Sequence, residues 1–295
     1  ANIYPEYDWV LNIMGEKAED ANVKLLLDNG SDMHSFQPSI ADIALIQNSD
    51  LFIYVGGESD DWVEGVLEGK QNEDMIVINL LEVLGDRVKT EEIIEGMEQE
   101  EEHDADGEGQ HHHEAQEESD EHVWLSLRNA CLFCESIAEA LASADPEHAS
   151  LYHENAASYL EKLDALDRAY EEAAAGGHVH TLLFGDRFPF RYLTEDYGLD
   201  YYAAFSGCSA ETEASFETVI FLAGKADELG LLAVLAIEGK EHRIAETIVQ
   251  STKTKDQQVL VMDSMQGMGM RDVRNGTTYL SVMGANLGIL TEALR

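Results

Sequence analysis

The chain has 295 residues, 44% of them hydrophobic, and carries 59 acidic against 18 basic side chains for a net charge of −41. That is apolar material for two domain cores or one large one. So acidic a chain repels nucleic-acid phosphates and anionic membrane surfaces and attracts cations, and it has no apolar run long enough to span a bilayer as a helix.

In chain order, the first residues read as the tail of a strand, as a processed N-terminus would. A helical pattern starts at Asp8 and stops near Gly15, and Val23–Leu27 is a short apolar run. Pro38, followed by Ile40, Ile43, Ala44 and Ile46, predicts a helix with one core face. Leu51–Val55 predicts a buried strand, Gly56-Gly57 a tight turn, Ser59–Leu67 a helix and Met75–Ile78 another strand. Strand, glycine turn, helix, strand is the alternation of an α/β fold with a parallel sheet.

Residues 89–121 are acidic with little apolar periodicity, which predicts an exposed loop. Within it stand His103 and the triplet His111, His112 and His113. Order resumes at His122, with a helix expected to run to about Ala144. Asp145-Pro146-Glu147 then starts a second helix that nothing interrupts before Gly176-Gly177. Thirty residues of helix are about 45 Å long, the length of a strut between two lobes.

The second half repeats the alternation. Strands are expected at His180–Phe184, Tyr201–Phe205, Leu231–Ile237 and Val259–Met262. Helices are expected at Phe190–Tyr197, Phe216–Leu229, His242–Ser251 and Tyr279–Leu294. The predicted architecture is two parallel-sheet α/β lobes, 1–145 and 177–295, joined by one long linking helix over 146–176. A ligand would sit in the cleft between them. Of the three cysteines, Cys131 and Cys134 lie three apart on a predicted helix and read as buried or inert thiols. A lone CxxC lacks the second pair of a zinc finger.

Several segments together resemble the metal-specific solute-binding proteins of ABC transporters, the zinc and manganese uptake group. Tyr4-Pro-Glu-Tyr-Asp-Trp-Val10 resembles the family's first strand-to-helix turn. Asp32-Met-His34-Ser-Phe-Gln-Pro38 resembles its first ligand motif, and residues 41–57 the helix, strand and glycine turn that follow. His122-Val-Trp-Leu-Ser126 resembles the second ligand motif, and the acidic, histidine-bearing loop before it is typical of the zinc branch. Val261-Met-Asp263-Ser resembles the strand end that supplies the last ligand. The resemblance implies a metal held by His34, His122 and Asp263, three side chains that project into a cleft from a loop, a helix start and a strand end. Imidazole and carboxylate are donors that zinc accepts in a tetrahedral shell.

One departure stands out. The family's third ligand lies on the first strand-to-helix turn of the second lobe, and here Arg187 or Gly185 occupies that place. Neither binds zinc, because Arg stays protonated and has no lone pair to give. Asp186, Cys208, Glu211, Glu238 or a histidine of the 103–113 loop could complete the shell, and Arg187 could instead pair with Asp263.

The resemblance further implies a monomeric, extracytoplasmic protein, lipid-anchored through a removed leader. It would capture Zn2+, with Mn2+ as the alternative, and deliver it to an ABC transporter permease. The histidine-rich loop favours zinc, since manganese prefers oxygen donors. Two other readings are a surface adhesin with a lapsed metal site and a zinc hydrolase; the latter lacks HExxH and GxSxG motifs. A strut of this length predicts small lobe movements on binding.

Overall fold

The computed structural model of the chain describes residues 1–28, 33–98, 118–209, 213–239 and 241–295. The first lobe opens with α1 (Tyr4–Met14), whose Pro5 sits in the first turn and whose Glu6 reaches back to accept from Asn2 N–H at 2.6 Å. The lobe continues with α2 (Ile40–Gln47), β1 (Leu51–Tyr54), α3 (Trp62–Leu67), β2 (Ile76–Asn79) and α4 (Leu80–Leu84). Strands β1 and β2 pair in parallel, with Leu51 opposite Ile76. Residues 1–2 lie between β1 and the apolar run at 23–27. Asn2 N–H donates to Ile53 O, while Leu26 and Leu27 donate to Ala1 O and Asn2 O.

Ser126 caps α5 (Leu127–Ala144) by accepting from Asn129 N–H. A 3-10 turn at Pro146–His148 leads into α6 (Ala149–Gly176), 28 residues and so about 42 Å long. The second lobe holds β3 (Thr181–Phe188), α7 (Arg191–Asp196), β4 (Asp200–Ser206), α8 (Phe216–Leu229), β5 (Ala233–Ile237), α9 (Arg243–Ser251), β6 (Gln258–Met262), α10 (Met270–Arg274) and α11 (Tyr279–Ala293). Its sheet has the order β4-β3-β5-β6, every pair parallel.

The α/β alternation and the long helix are those the sequence predicts. Two places differ. The strand expected to end at Phe184 runs on to Phe188 through a register shift between Phe184 and Arg187. Gly185 permits this, since a Cβ there would meet Ala245 Cα of α9 at 2.5 Å. Arg187 is therefore a strand residue, opposite Phe205. The segment 89–121 is also less free than its composition suggests. Thr90 bridges Ser119 antiparallel, Asp120 N–H donates to Lys89 O at 2.8 Å, and Met97, Asp120 and Glu121 are buried.

Helix α6 ties the lobes together. Asn155 donates to Ile13 O and Tyr159 to Asp8 on α1, while Tyr170 donates to Met283 O on α11 and stacks on Tyr197. The lobes also meet directly around the cleft. Trp124 Nε1 donates to Ser264 O at 2.8 Å, Tyr279 OH to Trp124 O at 2.6 Å, and Tyr192 OH to Asp120 O at 2.9 Å. One continuous core runs from α1 through α6 to α11, and a second fills the outer side of the larger sheet beneath α8 and α9. Buried hydrogen bonds that cross the lobe boundary oppose wide hinge opening, because each would have to be broken in a dry interior.

Candidate metal centre

Three chain segments converge at the cleft. His34 lies on a 3-10 turn, Met33–Ser35, anchored by the buried Met33. His122 precedes a second 3-10 turn, Val123–Leu125, whose three side chains are all buried. Cys208 follows the carboxyl end of β4, where side chains of a parallel sheet face a cleft. The donor atoms of His34, His122 and Cys208 lie within 4.8 Å of one another. The two imidazole Nε2 atoms are 3.4 Å apart. In a tetrahedron with Zn–N bonds of about 2.0–2.1 Å, two nitrogens stand about 3.3–3.4 Å apart, so this spacing fits zinc.

The outer ring nitrogens are spoken for. His122 Nδ1 lies 3.0 Å from Asp120 Oδ1, which also accepts His122 N–H at 2.9 Å. His34 Nδ1 lies 2.8 Å from Ser59 Oγ and 3.5 Å from Glu121 Oε2. Ser59 in turn bonds Glu121, its N–H donating to Oε1 at 2.9 Å. A proton on each Nδ1 leaves each Nε2 with a lone pair aimed at the other donors, the tautomer a metal requires. Gly207 makes room for this. A Cβ on it would stand 2.9 Å from His122 Cε1 and 3.0 Å from Phe188 O.

Burial, reinforced by the charges of Glu91 and Glu121, pushes the Cys208 thiol well above its usual range. Glu91 Oε1 also accepts from Cys208 N–H at 2.8 Å. The carboxylates that keep the thiol protonated also make a negative field for an arriving cation, and a bound metal deprotonates a coordinating thiol outright. His34 and Cys208 line a cleft of about 550 Å³ together with Asp186, Arg187, Glu238 and His242 among others, and His122 is fully buried.

The other candidates are placed differently. Asp263 stands at the end of β6, where its Oδ1 accepts from Met265 N–H at 2.8 Å. Burial and then the charge of Glu238 raise it to about 6. It is not in the group of converging donors. Asp186 lines the cleft, but its oxygens accept from Arg187 N–H at 2.9 Å and Ile237 N–H at 3.3 Å, and burial raises it. Glu238 grips Ser264 through its N–H at 2.7 Å and its hydroxyl at 2.6 Å. Glu211 and His103, His111, His112 and His113 lie outside the described residues.

One residue at the centre has no precursor in the sequence reading. The Gln266 amide lies 2.5 Å from His122 Nε2 and 3.2 Å from His34 Nε2. Met265, with φ +63°, bends the chain after β6 so that Gln266 turns back toward the cleft. The only signal for it is its place three residues beyond the strand-end aspartate.

The profile of a family described as "ZnuA: Zinc-uptake complex component A periplasmic" matches residues 1–293. The chain belongs to the ZnuA family. The zinc-binding lipoprotein AdcA of Streptococcus pneumoniae is 30% identical over 289 residues, 98% of this chain and 54% of that protein. The high-affinity zinc uptake system protein ZnuA of Bacillus subtilis is 28% identical over 291 residues, 99% of this chain and 85% of that protein. The chain thus spans about half the length of its AdcA relatives. The crystal structure of the Zn(II)-bound ZnuA-like domain of S. pneumoniae AdcA superposes with a TM-score of 0.74 at 26% identity, covering 99% of this chain and 97% of that one. The two-lobe α/β fold and the family resemblance read from the sequence are those of this family. No helix among the described residues is long and apolar enough to cross a membrane.

Proposed function

We propose that this chain captures zinc on the extracytoplasmic side of a membrane and delivers it to an ABC transporter permease, with His34, His122 and Cys208 as ligands. The observation that carries this is the convergence of two imidazoles and one thiol within 4.8 Å, both imidazoles with Nδ1 engaged outside the site. Zinc is the cargo, and this donor set favours it over manganese, because a thiolate suits zinc and manganese prefers oxygen donors. Capture costs the protein one proton at neutral pH, that of the buried Cys208 thiol. Asp120, Glu121 and Glu91 then offset the charge that arrives.

The chain works as a monomer, tethered outside by a lipid. The tether is supported by the pneumococcal relative, whose name calls that protein a lipoprotein. The histidines at 103 and 111–113 act as a loose accessory sponge that feeds the cleft. Calorimetric titration of the chelator-stripped chain should find one tight zinc site. The double variant His34→Ala, His122→Ala should lack that site, and a double variant that keeps it refutes the assignment. Deleting residues 103–113 should remove only weaker binding.

A further inference from the structure

Gln266 sits between two sets of acceptors. On one side are the imidazole lone pairs of His122 and His34, 2.5 and 3.2 Å from the amide nitrogen. On the other is Ser264 Oγ, 3.3 Å from the amide oxygen. Ser264 is fully buried, and its hydroxyl lies 2.6 Å from Glu238 Oε1 while its N–H donates to Glu238 Oε2. A hydroxyl has one proton, and a hydrogen bond to a carboxylate is the stronger claim on it. Ser264 Oγ therefore faces the amide with lone pairs only, and it also accepts from Gln266 N–H at 3.4 Å.

An amide has its donors at one end and its acceptor at the other, in nearly the same shape. With acceptors on both sides, its NH2 satisfies one side and leaves the other facing the carbonyl oxygen. The imidazoles offer two lone pairs and Ser264 one, so the NH2 group faces the imidazoles. Zinc reverses this balance, because a lone pair that binds metal no longer accepts a hydrogen bond.

We propose that Gln266 turns its amide over on zinc binding. The oxygen becomes the fourth donor of the shell, and the NH2 end passes to Ser264 Oγ, whose lone pairs Glu238 keeps free by taking the hydroxyl proton. Glu238 and Ser264 are thus positioning residues that never touch the metal. This rests on the assignment of His34, His122 and Cys208 as ligands. It also gives the site a neutral fourth donor where a carboxylate would hold the cation more tightly, which suits a carrier that must release its cargo.

The test is a double-mutant cycle on zinc affinity, read by chelator competition, with Ser264→Ala and Gln266→Glu alone and combined. Ser264→Ala removes the acceptor that awaits the NH2 end and should weaken zinc about tenfold, the scale of one buried hydrogen bond. In the Gln266→Glu background, whose carboxylate has oxygen at both ends, the same change should alter affinity less than about twofold. An equal loss in both backgrounds would overturn the proposal and leave Ser264 a packing residue. Failure of the unaltered chain to bind zinc would instead overturn the ligand trio and this inference with it. A measurement on the unaltered fold guards against a Ser264→Ala variant that does not fold. The Gln266 side-chain NH2 proton pair, identified in 15N spectra by its loss in Gln266→Glu, should shift strongly when one equivalent of zinc is added. An unmoved pair in the zinc-bound protein contradicts the turnover.

Discussion

The two lobes contribute to the cleft in different ways. The first lobe brings two histidines, one on and one just before a 3-10 turn with buried neighbours, each with its outer nitrogen engaged by Asp120 or by Ser59 and Glu121. The second brings Cys208 and Gln266 from the turns beyond two strand ends. The first half is preorganised, and on the proposed assignment it sets where a metal sits. On the same assignment the second half holds the group that must lose a proton and the amide that turns over, which would make it the half that governs which metal is kept and how readily it leaves.

The largest effect should come from the preorganised side. Structural zinc sites bind with about 10–16 kcal/mol, so one donor of four accounts for roughly 2.5–4 kcal/mol. His122→Ala should therefore raise the zinc Kd by about 10²–10³-fold in chelator competition. A loss of less than about tenfold would remove His122 from the shell. Cys208→Ser should cost zinc less, about 10–100-fold, and should narrow the preference for zinc over manganese, since an alcohol discriminates less between the two metals than a thiolate. Competition between zinc and manganese checks this, and an unchanged preference would move selectivity back to the first lobe.

Gly207→Ala tests the seam between the halves. Its Cβ would meet His122 Cε1 at 2.9 Å and the Phe188 carbonyl oxygen at 3.0 Å. Relief by displacing either group costs about 1–3 kcal/mol of stability, as overpacking does, and would shift the imidazole proposed as a ligand. Thermal unfolding should show a lower midpoint together with several-fold weaker zinc binding, whereas an unaffected protein would mean the turn is slack.

Acidity separates stability from binding. Burial pushes Glu6 up to about 8, Asp60 up to about 7 and Asp8 up to about 6. Between about pH 4 and 8 the folded chain therefore holds protons that the unfolded chain has released, so stability falls as pH rises through that window. Zinc affinity runs the other way, falling as pH drops, because protons compete with the metal for imidazole and thiolate lone pairs. Unfolding midpoints of the chelator-stripped chain at pH 5.5 and 8 check the first trend. A higher midpoint at pH 8 would contradict it.

Much of the first lobe's share was legible from residues alone. His34 and His122 stand in ordered motifs, and the alternation of strands, glycine turns and helices locates the cleft between the lobes. The second lobe was harder to read for physical reasons. A strand end can be recognised from its apolar run, but not which of the next four side chains turns inward. At β6 the left-handed Met265 swings Gln266 into the site, while Asp263 stays behind to cap the turn. At β3 the register shift carries the strand past Gly185, so Arg187, at the place expected for the third family ligand, is instead paired with Phe205 in the sheet. Cys208 was one of several possibilities because a lone thiol in a sequence does not show what it faces. Asp120 and Glu121 belong to an acidic run whose composition masks two buried carboxylates.

X-ray absorption at the zinc K edge of the chain loaded with one equivalent of zinc tests the central claim most directly. One sulfur at about 2.3 Å, with three nitrogen or oxygen donors at about 2.0–2.1 Å and the multiple-scattering signature of two imidazoles, is the predicted shell. A shell without sulfur, or one with a single imidazole, would contradict it.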